Sequence, residues 1–384
     1  MTRSTSESPG SRSAPRQTAQ AVLEIRDLKI SFRTYLGEVK AVDGLNLSVS
    51  RGEIIGLVGE SGCGKSVTAL AIAGLLPRNA DVLSGEILID GKDLRKMSKA
   101  DLRRTRLEDL AMVFQDPMTY LNPVLTVGSQ ITEIMLENPA LNDSASITAR
   151  LDEISKIEAE RGKTEELGLE RQILMSAGGG KLGKRDAKRL ARLRTLAVLR
   201  MVRLPYPERI FKMFPHELSG GMRQRAMIAM ALVRKPKLIL ADEITTALDV
   251  TVQAQVLALL NQLKDEIDSS IVLITHDLGV VAKVCNRVAV MYAGNIVEVA
   301  EVKALFRKPL HPYTVGLLAA IPRADVAKSE LTSIPGSVPD LIAPPSGCRY
   351  HPRCPHAFAK CSDVKPILTE VEPNHWVACF LFDK

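Results

Sequence analysis

Glycines, one lysine and one serine spaced as G-x-x-x-x-G-K-[ST] make up the segment GESGCGKS, Gly59–Ser66. Glycines at this spacing let backbone N–H groups turn inward around phosphate oxygens. A lysine in that position, Lys65, can bridge the β- and γ-phosphates of ATP, and the Ser66 hydroxyl can bind Mg²⁺. Gly59, Glu60, Ser61, Gly62, Cys63, Gly64, Lys65, Ser66 and Val67 are therefore candidate ATP contacts. Cys63 fills a variable loop position, and its thiol is incidental to the chemistry. Farther along, LILADE (Leu238–Glu243) is an apolar run that ends in two carboxylates. Asp242, at the end of such a strand, can hold Mg²⁺ or its water, and Glu243 can polarise an attacking water as a general base. Unpaired buried carboxylates would be costly as structure alone.

These groups need elements to aim them. Glu53–Val58 (EIIGLV) reads as a buried strand running into the glycine loop, and Ser66–Leu76 is rich in helix formers and closes at Pro77. That strand–loop–helix context is what a phosphate loop requires, with the helix N-terminus aimed at the anion. Ile271–Thr275 (IVLIT) predicts another buried strand, ending at His276. Leu23–Phe32 and Leu45–Val49 predict a small antiparallel layer, and Arg287–Met291 and Asn295–Val299 predict further β structure. Val250–Leu263 reads as an amphipathic helix.

The long interval between Ser66 and Leu218 must hold a separate subdomain, whereas the short one between Leu218 and Leu238 holds a single helix. From about 128 to 214 the reading is helical. Residues 152–170 are mostly acidic and 181–200 mostly basic, separated by the turn-like SAGGGKLG. This predicts a helical hairpin with oppositely charged arms, either a solvated surface insertion or a partner-docking arm.

At 384 residues the chain has room for one large domain plus an appendage, or for two domains. The net charge of +7 suits nucleic acid, an anionic membrane leaflet or ATP alike. No nucleic-acid module appears, so no direct nucleic-acid partner is expected. No apolar stretch approaches the ~20 residues that span a bilayer. Residues 1–21 begin with a Ser-, Arg- and Pro-rich run that lacks the apolar core of a secretory signal, and they read as a disordered tail. These features place the protein in the cytoplasm, reaching a membrane only through partners. Four of the six cysteines, Cys348-x5-Cys354-x6-Cys361-x17-Cys379, cluster at the end of the chain after a Pro-rich linker at 335–345. In a cytosolic protein such a cluster points to metal more than to disulfides.

The run LSGGMRQ, beginning at Leu218, resembles the signature of ATP-binding cassette (ABC) ATPases, and the similarity extends over roughly residues 22–345. It implies an α/β fold: an ABC-type P-loop nucleotide-binding domain over 22–310, with an antiparallel β layer and a helical subdomain at about 116–230. The 152–190 segment reads as an insertion in that subdomain. Residues 311–384 form a small Cys-rich C-terminal extension. By the same resemblance Gln115 is the glutamine that contacts Mg²⁺ and the attacking water, and His276 is the switch histidine at the γ-phosphate. Asp249 lies at a dimer interface, and Tyr35 stacks on adenine, with Phe32 nearby. Ser219, Gly220 and Gly221 complete the ATP site of a second subunit. Ile244 departs from the family, which usually has proline after the glutamate.

FQDPMTYLNP (114–123), PHELSGGMRQRAMIAMAL (215–232), THDLGVVA (275–282), HPYTVGLL (311–318) and the final cysteines resemble the oligopeptide/dipeptide importer ATPases. The resemblance implies a second, different ATPase subunit, two membrane permeases and an extracytoplasmic peptide-binding protein, with this chain on the cytoplasmic face of the cell membrane. Nickel and glutathione importers share the motifs and are alternative cargoes. A non-transport ABC ATPase acting on nucleic acid is the rival from another class. The cysteine spacing matches neither ferredoxin patterns nor a common zinc ribbon. Relatives with a [4Fe–4S] cluster in this tail make that the first choice. Zinc, helped by His351, His356 or His375, and free thiols remain open.

Overall fold

The computed structural model describes residues 21–138, 141, 143–244, 249–321 and 334–383. The expected disordered tail falls outside the described residues, except for Ala21. The strands in chain order are β1 (Ala21–Thr34), β2 (Gly37–Ser50), β3 (Ile54–Val58), β4 (Ala80–Ile89), β5 (Lys92–Asp93), β6 (Leu110–Val113), β7 (Leu238–Asp242), β8 (Ser270–Thr275), β9 (Arg287–Tyr292), β10 (Asn295–Glu301), β11 (Thr369–Glu372) and β12 (His375–Val377). They form a four-stranded antiparallel sheet, β2-β1-β4-β5, and an eight-stranded mixed sheet, β11-β12-β10-β9-β3-β8-β7-β6.

In the larger sheet β9, β3, β8, β7 and β6 run parallel, with Val58 opposite both Thr275 and Val290, and Asp242 opposite Ile274. The chain therefore leaves β3, β6, β7 and β8 along one edge, where ligands of open α/β sheets bind. All five residues of β3 are buried and successive side chains serve opposite faces. Ile54 packs into a core shared with the helical region, while Ile55 and Leu57 pack toward the antiparallel layer. A fully buried parallel strand reads as a continuous apolar run for this reason.

The helical region contains Val127–Leu136, Ser144–Arg161, Glu165–Met175 and Lys184–Met201. The expected two-armed hairpin is three helices, since Thr164 caps a separate one by accepting from the Leu167 N–H. Ile147, Ile154, Ile173, Leu174, Leu190 and Leu199 join the same core as the rest of the subdomain. Part of the charge pairs internally, since the buried Glu170 accepts from Arg150 at 2.9 Å and from Arg194 at 2.9 Å and Arg171 meets Glu158 at 2.5 Å, while most charged side chains of 152–200 are exposed, as on a solvated surface segment. The two guanidiniums beside Glu170 outweigh its burial and hold its carboxyl below the usual range.

The C-terminal extension joins the larger sheet. β12 pairs antiparallel with β10 (Glu298 opposite Val377), and β11 pairs with β12. A third core lies beneath it, with Tyr292, Tyr313 and Tyr350 mutually packed at ring separations of 4.6–5.4 Å.

Candidate nucleotide site

The phosphate loop is shaped by what packs under it. Gly59 has φ +154° and Gly64 φ +107°, and a Cβ added to Gly59 would lie 2.1 Å from the Met291 carbonyl oxygen at the end of β9. Only glycine takes such conformations at so close an approach without strain. The following helix, Lys65–Ile72, begins directly after Gly64 and is shorter than the Ser66–Leu76 expected. Lys65 is buried, and its Nζ donates to the Gly59 and Glu60 carbonyls, both at 2.9 Å. Cys63 is fully buried beneath the loop, and burial pushes its thiol up.

The other expected chemistry converges on the same edge. Ser66 Oγ donates to Asp242 Oδ1 at 3.2 Å. Gln115 Nε2 donates to Glu243 Oε2 at 3.0 Å, and His276 Nδ1 stands 3.3 Å from Glu243 Oε1. Three parallel strands thus deliver one residue each, from just beyond β6, β7 and β8. Burial raises the Asp242 carboxyl and the neighbouring Glu243 adds to that, against the Ser66 hydrogen bond and Lys65. A divalent cation would relieve this, and hydroxyl, carboxylate and amide oxygens are the hard donors Mg²⁺ takes. Glu243 itself adopts a left-handed φ of 48°, with its N–H bonded to the Ile274 carbonyl at 2.9 Å. A following proline would disfavour helical backbone there. Ile244 supplies a buried apolar anchor instead.

A family model described as "ABC transporter" matches residues 42–246, and one described as "Oligopeptide/dipeptide transporter, C-terminal region" matches 297–361. The chain belongs to the ABC transporter ATP-binding proteins. It is 43% identical over 366 residues to the dipeptide transport ATP-binding protein DppD of Bacillus subtilis, covering 95% of this chain and 96% of that one. It is 42% identical over 364 residues to the oligopeptide transport ATP-binding protein OppD of Salmonella typhimurium, covering 95% of each. A solved bacterial ABC transporter cassette, described as dimeric, superposes with a TM-score of 0.53 at 24% identity, over 73% of this chain and 98% of that one, and shows the shared fold.

Within this ABC fold the remaining expected residues lie elsewhere. Tyr35 sits in the β1–β2 turn, 96% exposed, whereas Phe32 packs against the core; of the two aromatics, Tyr35 is the one with a free face. Ser219 caps the helix Gly220–Leu232 by accepting from Met222 N–H, and Ser219 and Gly220 are exposed, so the other N–H groups of the first turn can meet an anion. No hydrogen bond among the described residues joins Ser219, Gly220 or Gly221 to the phosphate loop. Asp249 caps Val250–Ile267, accepting from Thr251 and Val252 N–H at 3.0 and 2.9 Å. No helix among the described residues is long and apolar enough to cross a membrane.

The expected metal site in the tail is only partly realised. Cys348, Cys354, Cys361 and Cys379 line one small pocket with His311, His351 and His356. However, no group of three or more His, Cys, Asp or Glu among the described residues is arranged to hold one metal ion. Burial pushes the Cys348 thiol up to about 11 and raises Cys354 and Cys379 as well. His375 does not line this pocket; its Nε2 is bonded to the buried Glu298 at 2.7 Å, and its Nδ1 is buried without a hydrogen-bond partner among the described residues. His351 is tied through Nδ1 to the Cys348 carbonyl at 2.9 Å.

Two residues at the phosphate loop escaped the sequence reading. Tyr313 Oη accepts from the Glu60 N–H at 2.9 Å, and Arg353 pairs with the Glu60 carboxylate at 3.0 Å. Tyr313 stood in view within HPYTVGLL, and the only available signal was a large polar-tipped aromatic in an apolar run. Nothing in the spacing ties either residue to a loop so far upstream.

Proposed function

We propose that this chain is the ATP-hydrolysing subunit that drives import of di- and oligopeptides. It docks on the cytoplasmic face of the membrane against two permease subunits, which receive peptide from an extracytoplasmic binding protein. The observation that carries this reading is the meeting of Gln115, Glu243 and His276 beside the Ser66–Asp242 pair, in a chain similar to peptide-transport ATPases along 95% of its length. In this reading Lys65 and the loop N–H groups take the β- and γ-phosphates, while Ser66, Gln115 and Asp242 would hold Mg²⁺. The ion would supply positive charge that offsets the charge developing on the phosphates. Glu243 accepts the proton of the attacking water, held in place by Gln115 and His276.

Only one phosphate loop and one LSGG run occur in the chain. A second ATPase chain would therefore supply the signature that faces this ATP, and the similarity to peptide importers supports its being a different subunit. Ser219, Gly220, Gly221 and Asp249 serve the partner's nucleotide in return, and Tyr35 stacks on adenine.

Deleting the chromosomal copy tests the cargo. Loss of uptake of a dipeptide carrying an essential amino acid, restored by the wild-type gene, is the expected outcome. Loss of nickel or glutathione uptake alone would change the cargo but keep the machine. Copurification with RNA or DNA in place of permeases would replace the reading altogether.

The thiol pocket supports a finer proposal, a [4Fe–4S] cluster with a structural role. Four thiolates complete such a site, and the pocket residues must close in and lose their protons to form it. Anaerobically purified chain is expected to contain about four iron and four sulfide per chain. One zinc per chain would assign the pocket to Zn²⁺, and neither metal would leave free thiols.

A further inference from the structure

We propose that Tyr313 and Arg353, both from the C-terminal region, position the phosphate loop through Glu60, so that this region sets the affinity for ATP. The inference rests on reading Gly59–Ser66 as the ATP site. Glu60 is the second residue of the loop, and it is held from three directions. Its N–H donates to Tyr313 Oη at 2.9 Å. Its carbonyl accepts from Lys65 Nζ at 2.9 Å. Its carboxylate accepts from Arg353 Nη1 at 3.0 and 3.3 Å. Two of these three holds come from beyond residue 310, and the third comes from the lysine that must meet the phosphates.

Both outside partners are themselves fixed. Tyr313 is fully buried, packed on Tyr292 and Tyr350, and His311 Nδ1 accepts from its N–H at 3.0 Å to cap the helix Pro312–Ala319. The Arg353 side chain is 7% exposed. Its Nε donates to the Pro335 carbonyl at 2.9 Å, its Nη2 to the Ile334 carbonyl at 3.3 Å, and its Nη1 also to Tyr292 Oη at 3.3 Å. The guanidinium lies over the Tyr292 ring at 5.7 Å. Tyr292 ends β9, next to the Met291 carbonyl on which Gly59 rests. The loop is thus clamped between strand β9 and the C-terminal region. A planar guanidinium with several fixed acceptors is a pre-organised holder, unlike a flexible surface pair.

Such a clamp acts on binding more than on chemistry. It keeps the Glu60 peptide oriented, so that Lys65 and the inward-facing N–H groups meet phosphate without first ordering the loop. Glu243, Gln115 and His276 lie on other strands and keep their mutual contacts when the clamp is cut. These are positioning residues, and their signature is a raised KM for ATP with kcat retained.

The test uses full-length chain, with displacement of a fluorescent ATP analogue by MgATP, and KM and kcat measured in the assembled transporter. Arg353→Gln is expected to weaken MgATP binding roughly tenfold, on the order of one charge-assisted hydrogen bond, with kcat within about twofold of wild type. Tyr313→Phe keeps the ring packing and deletes one acceptor, and a rise of roughly threefold to fivefold in KM is expected. Arg353→Lys should recover part of the loss. In a Glu60→Gln background, Arg353→Gln should change affinity by less than about twofold, because the shared interaction is already gone. A variant that merely unfolds lowers kcat through the competent fraction and leaves KM in place. Wild-type affinity in both Arg353→Gln and Tyr313→Phe, or fully additive effects of Glu60 and Arg353, would overturn the inference. Failure of the wild-type chain to bind ATP would instead overturn the reading of the loop.

Discussion

Glu243→Gln should bind MgATP within a few-fold of wild type and hydrolyse it about 10²–10⁴-fold more slowly, the range lost with a positioned base. The geometry explains why binding survives. The two carboxylate oxygens face different partners, Gln115 Nε2 at 3.0 Å and His276 Nδ1 at 3.3 Å. A glutamine can keep its oxygen toward the Gln115 amide and turn its NH₂ toward His276, whose ring nitrogen accepts in one neutral tautomer. The backbone at φ 48° is no harder for glutamine than for glutamate. What disappears is proton affinity, because an amide cannot take the proton of an attacking water. Phosphate release from the variant assembled with its partners, beside nucleotide binding by the same preparation, measures both halves. Wild-type turnover would remove Glu243 from the role of base.

The parts of this site that were legible in the sequence are those whose chemistry is local in the chain. A phosphate loop needs its glycines, lysine and serine within eight positions, so GESGCGKS announces itself. Buried parallel strands leave unbroken apolar runs, which is why β3, β7 and β8 were readable along with the functional residues that follow them. β4 was missed, because Ala80–Ile89 is mostly half-buried and shows neither clean alternation nor a solid apolar run. β11 and β12 were missed because they are four and three residues long and gain their place only by pairing, β12 onto β10 and β11 onto β12. Charge pattern misled in one place. Opposite charges at 152–200 read as a two-armed helical hairpin, yet Thr164 starts a third helix, and Glu170 between Arg150 and Arg194 ties the segment into the subdomain. The cysteines were visible as donors, but whether four thiols stand around one centre is a three-dimensional property that spacing does not encode. Tyr313 and Arg353 show the same limit from the other side: nothing local in the chain marks their contacts with Glu60.

Lys65→Met separates the stability of the empty protein from its capacity for nucleotide. Lys65 is 6% exposed and, among the described residues, forms no ion pair; its ammonium leans on two neutral carbonyls. Methionine of similar length removes a buried cation, which relieves desolvation, and strands the Gly59 and Glu60 carbonyls, which costs about 1–3 kcal/mol for each left unsatisfied. The two effects oppose each other, so the empty variant should melt within several degrees of wild type. With nucleotide the balance is one-sided. Bonds from an ammonium to phosphate are charge-assisted, about 1.5–3 kcal/mol each, and methionine makes none. Two such bonds lost correspond to an affinity at least ~100-fold weaker. Wild-type chain with MgATP at 100 times its Kd gains ~2.7 kcal/mol of stability by mass action, and the variant at the same concentration should gain about a fifth of that or less. Thermal melts with and without MgATP measure this directly. A Tm rise in Lys65→Met equal to that of wild type would show that the phosphates are held without this lysine, and that its two carbonyl contacts are its whole purpose.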